Sequence, residues 1–358
     1  MSKKQFSWLL AITLVVAAVL MLLPGKTGRE STLEAVTLVP GLDARVNEIA
    51  RVRVVRGGNE PVATLVRGDN GWQVEEAGLY PADWPKLKSL LAALARARII
   101  EPKTSNPDYF DRLGVAGVEQ ENSSAVLLEL GEGADEIGLL IGNSARERNG
   151  QYVRFEGQDQ ALLIDQTLEV ARETRDWLER DILDLAESEV VEVDIVHPDG
   201  EQVRIRKASA DDTDFALLDI PAGRAIQSVW SVNALGGSLS GLRLEDVRPQ
   251  SEVDWSQAVQ LRALTADGVE VNAELAAADD ATWLRVSAAV YPDESPADRD
   301  ATAENEGGGP ESSMQQATSQ RVGEINRRTS GWAYSVPEFK SQLMNKRMDD
   351  LLAAREKD

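Results

Sequence analysis

Few side chains in this 358-residue chain have the type and spacing that catalysis requires. The one histidine, His197, lies in the segment VHPDG, at a predicted hairpin turn and without a serine or cysteine nearby in the context of a nucleophile. The chain has no cysteine and no Gly-x-Ser-x-Gly motif, which excludes thiol nucleophiles, disulfides, zinc–thiolate sites and a nucleophile elbow. We therefore predict that His197 is a surface residue beside a turn, with a catalytic base as the alternative.

Three pairs of adjacent aspartates are the remaining candidates for glycosidase chemistry or calcium binding. They are Asp211 and Asp212, Asp279 and Asp280, and Asp349 and Asp350. The first two pairs lie in predicted turns, the third lies on a predicted exposed helix face, and the Asp-x-Asp-x-Asp-Gly loop of an EF-hand is absent from the sequence. These positions favour solvated carboxylates, so we predict no enzyme, no catalytic residue, no metal ligand and no cofactor site.

Glycine-rich and tryptophan-containing segments offer two further kinds of binding site. The segment GEGADEIGLLIGN contains Gly-x-Gly but lacks both the third glycine of a dinucleotide fingerprint and the lysine of a P-loop, so it predicts a hairpin turn. The eight tryptophans are compatible with stacking on sugars. However, Trp72, Trp177, Trp230 and Trp332 occupy patterned positions that favour packing in the core.

Composition limits the classes of protein that these elements can build. Hydrophobic residues make up 42% of the chain, enough for sizeable cores, and the length allows two domains. Lysine and arginine total 38 against 60 acidic residues, which gives a net charge of -22. Because such a surface repels phosphate backbones, we predict that the protein does not bind nucleic acid.

The amino terminus carries an apolar run from Trp8 to Leu23, preceded by Lys3 and Lys4. A helix that also includes Phe6 and Ser7 spans roughly 27 Å, which is just enough to cross a bilayer with local thinning. The alternative is a cleaved signal peptide, but the run ends in bulky residues and a proline rather than in small residues. We predict a retained single transmembrane anchor over residues 1–28, in the bacterial inner membrane, with the bulk of the chain in the periplasm.

The segment from 29 to 184 predicts a first domain of strands and one covering helix. Alternation places Val52 and Val54 on one face of a strand, and an Asp-Asn-Gly turn at 69–71 joins two more strands. Asp83 is a natural N-cap for a helix with Pro85 in its first turn. The apolar face of that helix consists of Leu87, Leu90, Leu91 and Leu94.

The segment from 185 to 358 repeats this order and predicts a second domain. A hairpin turns at 198–200, a strand runs from Phe215 to Ile220, and the helix that follows carries an apolar stripe of Ile226, Val229 and Trp230. Residues 293–320 are rich in acids, Gly, Ser and Pro, so we predict a disordered acidic insertion there. The predicted class is α+β: an N-terminal membrane anchor followed by tandem repeats, each a small, mostly antiparallel β-sheet covered by a helix.

Several segments together resemble the bacterial domain-of-unknown-function family 4340. The most specific are the block from Trp72 to Val115 and the ending Trp-x-Tyr-x-Val-Pro at Trp332 to Pro337. LVPGLDARVNEIARV and RDWLERDILDL, followed soon after by VHPDG, add to the resemblance. Proteins of this family are typically single-anchor envelope proteins, often encoded beside an ABC-transporter ATPase, its permease and a gliding-motility-type auxiliary subunit.

The resemblance implies a non-enzymatic periplasmic accessory subunit associated with an ABC-type, gliding-motility-like transporter. Its expected partners are the membrane, through the N-terminal helix, and the permease and auxiliary subunits of the transporter. It carries over no catalytic residues. The alternative is an envelope glycan-binding protein, or a hydrolase that uses paired carboxylates.

Overall fold

A computed structural model of the protein describes residues 36–133, 136–145, 150–291 and 310–354. The predicted anchor over residues 1–28 lies outside the described residues, as do residues 292–309. No helix within the described ranges is long and apolar enough to cross a membrane. Antiparallel β-sheets with helices beside them make up this part of the chain, which confirms the predicted α+β class.

Nine strands form the first sheet, and every neighbouring pair in it is antiparallel. The strands are β1 (Arg51–Arg56), β2 (Glu60–Gly68), β3 (Gly71–Val74), β4 (Tyr80–Pro81), β5 (Ile99–Pro102), β6 (Val126–Leu130), β7 (Ile137–Ser144), β8 (Gln151–Phe155) and β9 (Ala161–Ile164). Their order across the sheet is β4-β3-β2-β1-β6-β7-β8-β9-β5. The helices of this half are α1 (Leu42–Arg45), α2 (Trp84–Arg96) and α3 (Phe110–Leu113).

Eight strands form the second sheet, again with antiparallel neighbours throughout. The strands of this half are β10 (Asp181–Leu183), β11 (Val190–Val196), β12 (Gln202–Arg206), β13 (Ala216–Leu217), β14 (Leu242–Arg243), β15 (Asp246–Pro249), β16 (Val259–Thr265), β17 (Val269–Ala278), β18 (Ala281–Val290) and β19 (Trp332–Ser335). The order across the sheet is β13-β12-β11-β16-β17-β18-β19-β15, while β10 and β14 pair separately. The helices are α4 (Val229–Gly236), α5 (Pro310–Thr329), α6 (Glu338–Met344) and α7 (Met348–Leu351).

The two sheets share one connectivity. In each, a first series of hairpins (β1 to β4, or β11 to β13) leads to a helix, and a strand that follows this helix, β5 or β15, lies at the far edge of the sheet. A second series (β6 to β9, or β16 to β19) then fills the space between, so that β1 pairs with β6 and β11 pairs with β16. The strand order of the second sheet therefore follows that of the first, except that β4 has no counterpart and that β14, between α4 and β15, pairs with β10 outside the sheet.

Helix α2 forms where its sequence predicts it. The carboxylate of Asp83 accepts a hydrogen bond from the backbone amide of Lys86 at 2.9 Å, and Pro85 stands in the first turn, where no amide partner is needed. The predicted apolar face is confirmed, since its four leucines are all buried: Leu87, Leu90, Leu91 and Leu94. This face covers the first sheet.

Helix α4 is shorter, and its predicted apolar stripe was wrong. The predicted stripe consisted of Ile226, Val229 and Trp230, but Ile226 precedes the helix and the other two side chains are exposed. The buried residues of α4 are Val232, Leu235 and Gly236. The strand predicted over 215–220 also contracts, to the two residues of β13.

Helix α5 corrects the predicted acidic insertion. The insertion was expected to run from 293 to 320 without structure, but from Pro310 onward the chain is helical. The physical reason is that Ile325 packs into the core, while the side-chain amide of Asn326 bonds both the amide and the carbonyl of Ala288 at 2.8 Å. Because β19 pairs with β18 only at Trp283 and Leu284, α5 satisfies backbone groups on the remaining edge of β18.

Two short helices, α6 and α7, follow β19. The ammonium of Lys340 in α6 donates to the carbonyls of Gly237 at 3.2 Å and of Ser240 at 2.6 Å, beyond the end of α4. A cation at this position satisfies carbonyls that have no partner within the helix and complements the helix dipole. Lys340 thereby fixes α6 against α4.

One continuous core joins the two halves. At their junction the ring of Tyr80 in β4 lies 5.0 Å from that of Trp332 and 6.1 Å from that of Tyr334, in edge-to-face contacts. Trp177 is fully buried, and its carbonyl accepts a hydrogen bond at 2.8 Å from the backbone amide of Asp83, three residues after Tyr80. Burial raises the pKa of Tyr80 to about 12 and also raises the pKa of Tyr334.

Candidate interaction surface

The histidine that could serve as a base is not on the surface. His197 is 3% exposed, which corrects the prediction of a surface residue, and its Nε2 lies 3.2 Å from the carbonyl oxygen of Lys346. The predicted hairpin turn beside it is confirmed, because the amide of Gly200 bonds the carbonyl of His197. The ring therefore links the β11–β12 turn to the chain between α6 and α7, and no nucleophile lies in these contacts.

Two of the aspartate pairs lie in turns, as predicted, and act locally. Asp212 accepts a hydrogen bond from the amide of Ser209 at 2.8 Å, which closes the turn after β12. Asp279 and Asp280 form the β17–β18 turn with positive φ angles of 50° and 61°, a conformation that aspartate tolerates. The carboxylate of Asp279 also pairs with Arg248 at 2.7 Å.

The third pair stabilises the ends of the last helix. Asp350 completes a capping box by accepting the backbone amide of Arg347 at 2.9 Å, and Asp349 pairs with Arg224 at 3.0 Å. Asp349 remains 83% exposed, as the prediction of an outward helix face requires. In the part of the chain that the structure describes, no group of three or more His, Cys, Asp or Glu side chains is placed to hold a metal ion.

The first sheet carries an open groove of about 1120 Å³, the Tyr109 groove, lined by Glu101, Lys103, Tyr109, Arg112, Asn143 and Tyr152 among others. The guanidinium carbon of Arg112 lies 5.7 Å from the centre of the Tyr109 ring, and Lys103 Nζ lies 5.9 Å from that of Tyr152. Two aromatic rings, each with a cation beside it, make this groove suited to a polar ligand with apolar faces.

A second groove, of about 1160 Å³, lies between α5 and the second sheet. Its wall holds Glu192, whose carboxylate contacts both Arg206 and Arg262. Arg262 also contacts the carboxylates of Asp194 at 2.6 Å and Glu270 at 3.2 Å. Burial alone would lower the pKa of Arg262, but the hydrogen bonds and charges of these carboxylates raise it overall. Asp267, also in the wall, pairs with Arg321 at 3.1 Å, so the acidic side chains that line this groove are held in ion pairs.

Among the described residues, the aromatic side chains with the highest exposed fractions lie on α4 and α6. Trp230 is 80% exposed, Phe339 is 66% exposed and Val229 is 45% exposed. Lys340 bonds the carbonyl of Gly237, the residue after α4, so α6 packs against the carboxyl-terminal end of α4. We call the exposed apolar side chains of these two neighbouring helices, Val229, Trp230 and Phe339, the Trp230 face.

The exposure of Trp230 corrects the prediction that it packs in the core. Trp72 and Trp177 are buried as predicted, and Trp332 is partly buried against the core. In the first half, Trp84 opens α2 and stacks on Trp72, with ring centres 6.4 Å apart and planes 8° apart. Trp230 has no ring contact of this kind among the described residues.

Acidic side chains surround the Trp230 face. Asp214 accepts a bond from the side chain of Asn233, Glu338 opens α6, and a carboxylate oxygen of Glu187 lies beside Gly237. The two neighbouring cations are already engaged: Lys340 bonds carbonyls beyond α4, and Arg224 bonds Asp349 and the carbonyl of Ala353. Within the described chain, the face combines exposed apolar groups with unpaired negative charge.

Comparison with known proteins returns one family. The family model described as Domain of unknown function (DUF4340) matches residues 72–264, which is more than half of the chain. The matched range runs from β3 into β16 and includes α2 and α4. Neither the curated proteins nor the solved structures provide a significant match.

Proposed function

Because this chain belongs to the DUF4340 family of domains of unknown function, we propose that it is a non-enzymatic accessory subunit of an ABC-type, gliding-motility-like transporter. Its partners are the transporter's permease and auxiliary subunits. The observation that carries the proposal is the Trp230 face, because clustered exposed aromatic side chains are typical of surfaces that bind another protein.

The proposal places the protein in the bacterial inner membrane. The apolar run from Trp8 to Leu23 is the retained anchor, and the rest of the chain lies in the periplasm. A membrane protein fixed in this way works at the membrane surface, within reach of a transporter. The expected mature protein begins at or near Met1 and resists carbonate extraction, whereas a soluble form that starts after residue 20 contradicts the anchor.

We further propose that the two sheets are tandem repeats. The shared connectivity supports this, because eight strands of the first sheet and the eight strands of the second occur in the same order. The residues themselves have diverged: Trp72 at the start of the first half corresponds to Phe215 in the second. Divergence of this kind lets one repeat keep a structural role while the other acquires a binding role.

Affinity purification of the full chain from solubilised membranes tests the proposed function. We expect the permease and auxiliary subunits of an ABC transporter to co-purify with it. A variant in which a cleavable signal peptide replaces the anchor is the matched control, and it should lose both the complex and the ability to complement a deletion strain. Full complementation by the released form would contradict the proposal.

One observation favours a second candidate, an envelope glycan-binding protein. The Tyr109 groove presents two tyrosines, two cations and an asparagine side chain, a set that suits a saccharide with a carboxylate. The related hypothesis of a hydrolase with paired carboxylates lacks such support, since each described aspartate pair serves a turn, a cap or an ion pair. Titration with soluble acidic oligosaccharides, comparing the wild type with Tyr109→Ala, tests the glycan-binding candidate.

A further inference from the structure

We propose that the Trp230 face docks a basic amphipathic segment of a partner protein. This inference rests on the proposed function only in that the partner is then a subunit of the transporter. It adds which surface of this protein binds the partner. It also adds the chemistry of the partner segment, which has an apolar face to contact Trp230 and Phe339 and lysine or arginine side chains to pair with the surrounding acids.

Burial of Trp230 and Val229 against a partner explains why α4 carries exposed apolar side chains. A tryptophan that is 80% exposed, next to a valine that is 45% exposed, leaves a large apolar area in water at the start of one helix. The fold does not require this arrangement, because in the first half the equivalent helix stacks its own tryptophan, Trp84, on Trp72. The second half places Phe215 in the position of Trp72, but Phe215 packs under Gly236 at the other end of α4.

The acids decide which partner fits. Glu187, Glu338 and Asp214 have no ion pair among the described residues, and Asp349 is 83% exposed although it pairs with Arg224. A partner segment that brings lysine or arginine to these carboxylates gains electrostatic complementarity and a faster encounter. The net charge of the whole chain, -22, attracts the same kind of partner from a distance.

The same charges argue against two other occupants. A second copy of this chain would place an identical acidic surface against the first, and like charges across an interface cost several kcal/mol. Anionic lipid headgroups would be repelled for the same reason, although exposed tryptophan is common at membrane interfaces. A basic protein segment is the occupant that satisfies both the apolar and the acidic groups.

A helix is the form of segment that suits this site. Lys340 holds α6 against the end of α4, so the exposed apolar side chains belong to helices and not to an open strand edge. An amphipathic helix gathers its apolar side chains at i, i+3, i+4 and i+7 and carries lysine or arginine beside them, which suits exposed apolar groups with acids around them.

Binding of a defined peptide tests the inference. The probe is a fluorescently labelled 14-residue amphipathic helix made only of leucine and lysine, titrated with the full chain in detergent micelles at physiological salt. A peptide in which glutamate replaces every lysine is the charge control. We expect the lysine peptide to bind and Trp230→Ala to weaken its Kd at least about tenfold, as for a central aromatic anchor. Phe339→Ala should weaken it by a smaller factor.

A matched control variant distinguishes binding at the Trp230 face from nonspecific attraction of the peptide to an acidic protein. Tyr109→Ala removes an exposed aromatic side chain just before α3, in the first half of the chain, and should change the Kd by less than about twofold. Because Trp230 is mostly solvated, its replacement leaves the thermal unfolding temperature unchanged, so weaker binding cannot come from misfolding. Equal Kd values for wild type and Trp230→Ala, or equal binding of both peptides, would overturn the inference.

Two further measurements address the other occupants. Quenching of Trp230 fluorescence by brominated phosphatidylglycerol, identified as the difference between wild type and Trp230→Phe, would overturn the inference in favour of a lipid surface. Self-association that Trp230→Ala abolishes in analytical ultracentrifugation would overturn it in favour of a second copy. Absence of both signals, together with peptide binding, is the expected result.

The failure of this inference differs from the failure of the proposed function. If transporter subunits co-purify equally with wild type and Trp230→Ala, the accessory role stands and the assigned surface is wrong. If no transporter subunit co-purifies but the peptide binds through Trp230, the surface stands and the accessory role is wrong.

Discussion

Helices α2 and α4 occupy equivalent places in two sheets of the same connectivity, yet they treat their first tryptophan in opposite ways. Trp84 at the start of α2 stacks on the buried Trp72, and four leucines fill the rest of the helix face. Trp230 at the start of α4 points into solvent, and only Val232, Leu235 and Gly236 are buried. Buried leucines therefore run along most of α2, whereas the first turn of α4 is exposed to solvent.

The difference originates in the aromatic residue beneath each helix. Phe215 lies against Gly236, where an added Cβ would come within 2.4 Å of the ring, and Lys207 Nζ lies 4.9 Å from the centre of that ring. Phe215 therefore packs at the end of α4 rather than at its start. The shared strand order thus determines where each helix lies. The side chains between the helix and the sheet determine which helix residues are buried and which are exposed to solvent.

The largest effect is expected when the buried aromatic residue of either half is removed. Trp72→Ala and Phe215→Ala should each lower the free energy of unfolding by about 3–5 kcal/mol, because both side chains are more than nine-tenths buried. Denaturant unfolding of the full chain in detergent measures both. If Phe215→Ala left the free energy of unfolding unchanged, Phe215 would not be a core residue of the second half. It would then not correspond to Trp72 in the first half.

Alkaline pH should destabilise both halves together. Burial raises the pKa of Tyr80 to about 12, from an unfolded value of about 10. A raised phenol pKa means that the fold favours the neutral form, so its stabilisation is complete below pH 10 and is lost as pH rises towards 12. The loss is on the order of 2 kcal/mol. We expect a single denaturant unfolding transition, monitored by circular dichroism, whose free energy of unfolding falls over this pH range.

The double variant Tyr80→Phe/Tyr334→Phe is the control for this pH dependence, since it has no phenol at the junction to ionise. Its free energy of unfolding should fall less between pH 10 and 12 than that of the wild type. Two separate transitions would show that the junction does not couple the halves.

The helix caps should contribute equally in the two halves. Asp83 caps α2, and Ser228 caps α4 by accepting the amide of Ser231 at 3.1 Å. Asp83→Ala and Ser228→Ala should each cost about 1 kcal/mol in thermal or denaturant unfolding. A negligible cost for Ser228→Ala alone would show that the first turn of α4 is not held in the helical state, which sharpens the contrast with α2.

The smallest effects concern the two tryptophans that open the helices. Trp84→Ala removes a stacked aromatic pair and should cost about 0.5–1.5 kcal/mol. Trp230→Ala should cost less than about 0.5 kcal/mol, since surface substitutions rarely exceed that value. Differential scanning calorimetry of the two variants compares them directly, and equal losses would contradict the assignment of Trp230 to a binding surface.

Local patterns predicted much of this fold. The leucine face and N-cap of α2 and the hairpins at 69–71 and 198–200 depend on spacing and turn residues alone. A local signal for Trp230 was also available. It stands two residues before Val232, about 200° around the helix, so a helix that buries Val232 and Leu235 must turn Trp230 outward.

The remaining errors concern contacts between distant parts of the chain. His197 is buried because a carbonyl at Lys346, 149 residues later, lies against its ring. Residues 310–320 are helical because α5 packs on the part of β18 that β19 leaves unpaired. Neither contact leaves a trace in the spacing of nearby residues, so composition alone favoured a surface turn and an acidic loop.

The edges of the two sheets limit how this protein can associate. Three of the four edge strands end in proline, at Pro81, Pro102 and Pro249, and the fourth is only two residues long. Proline lacks the amide that a neighbouring strand needs, and short edges offer little template. Even at high protein concentration, such chains resist edge-to-edge polymerisation into amyloid-like ribbons. Recognition is then left to side chains rather than to strand addition, which makes it selective.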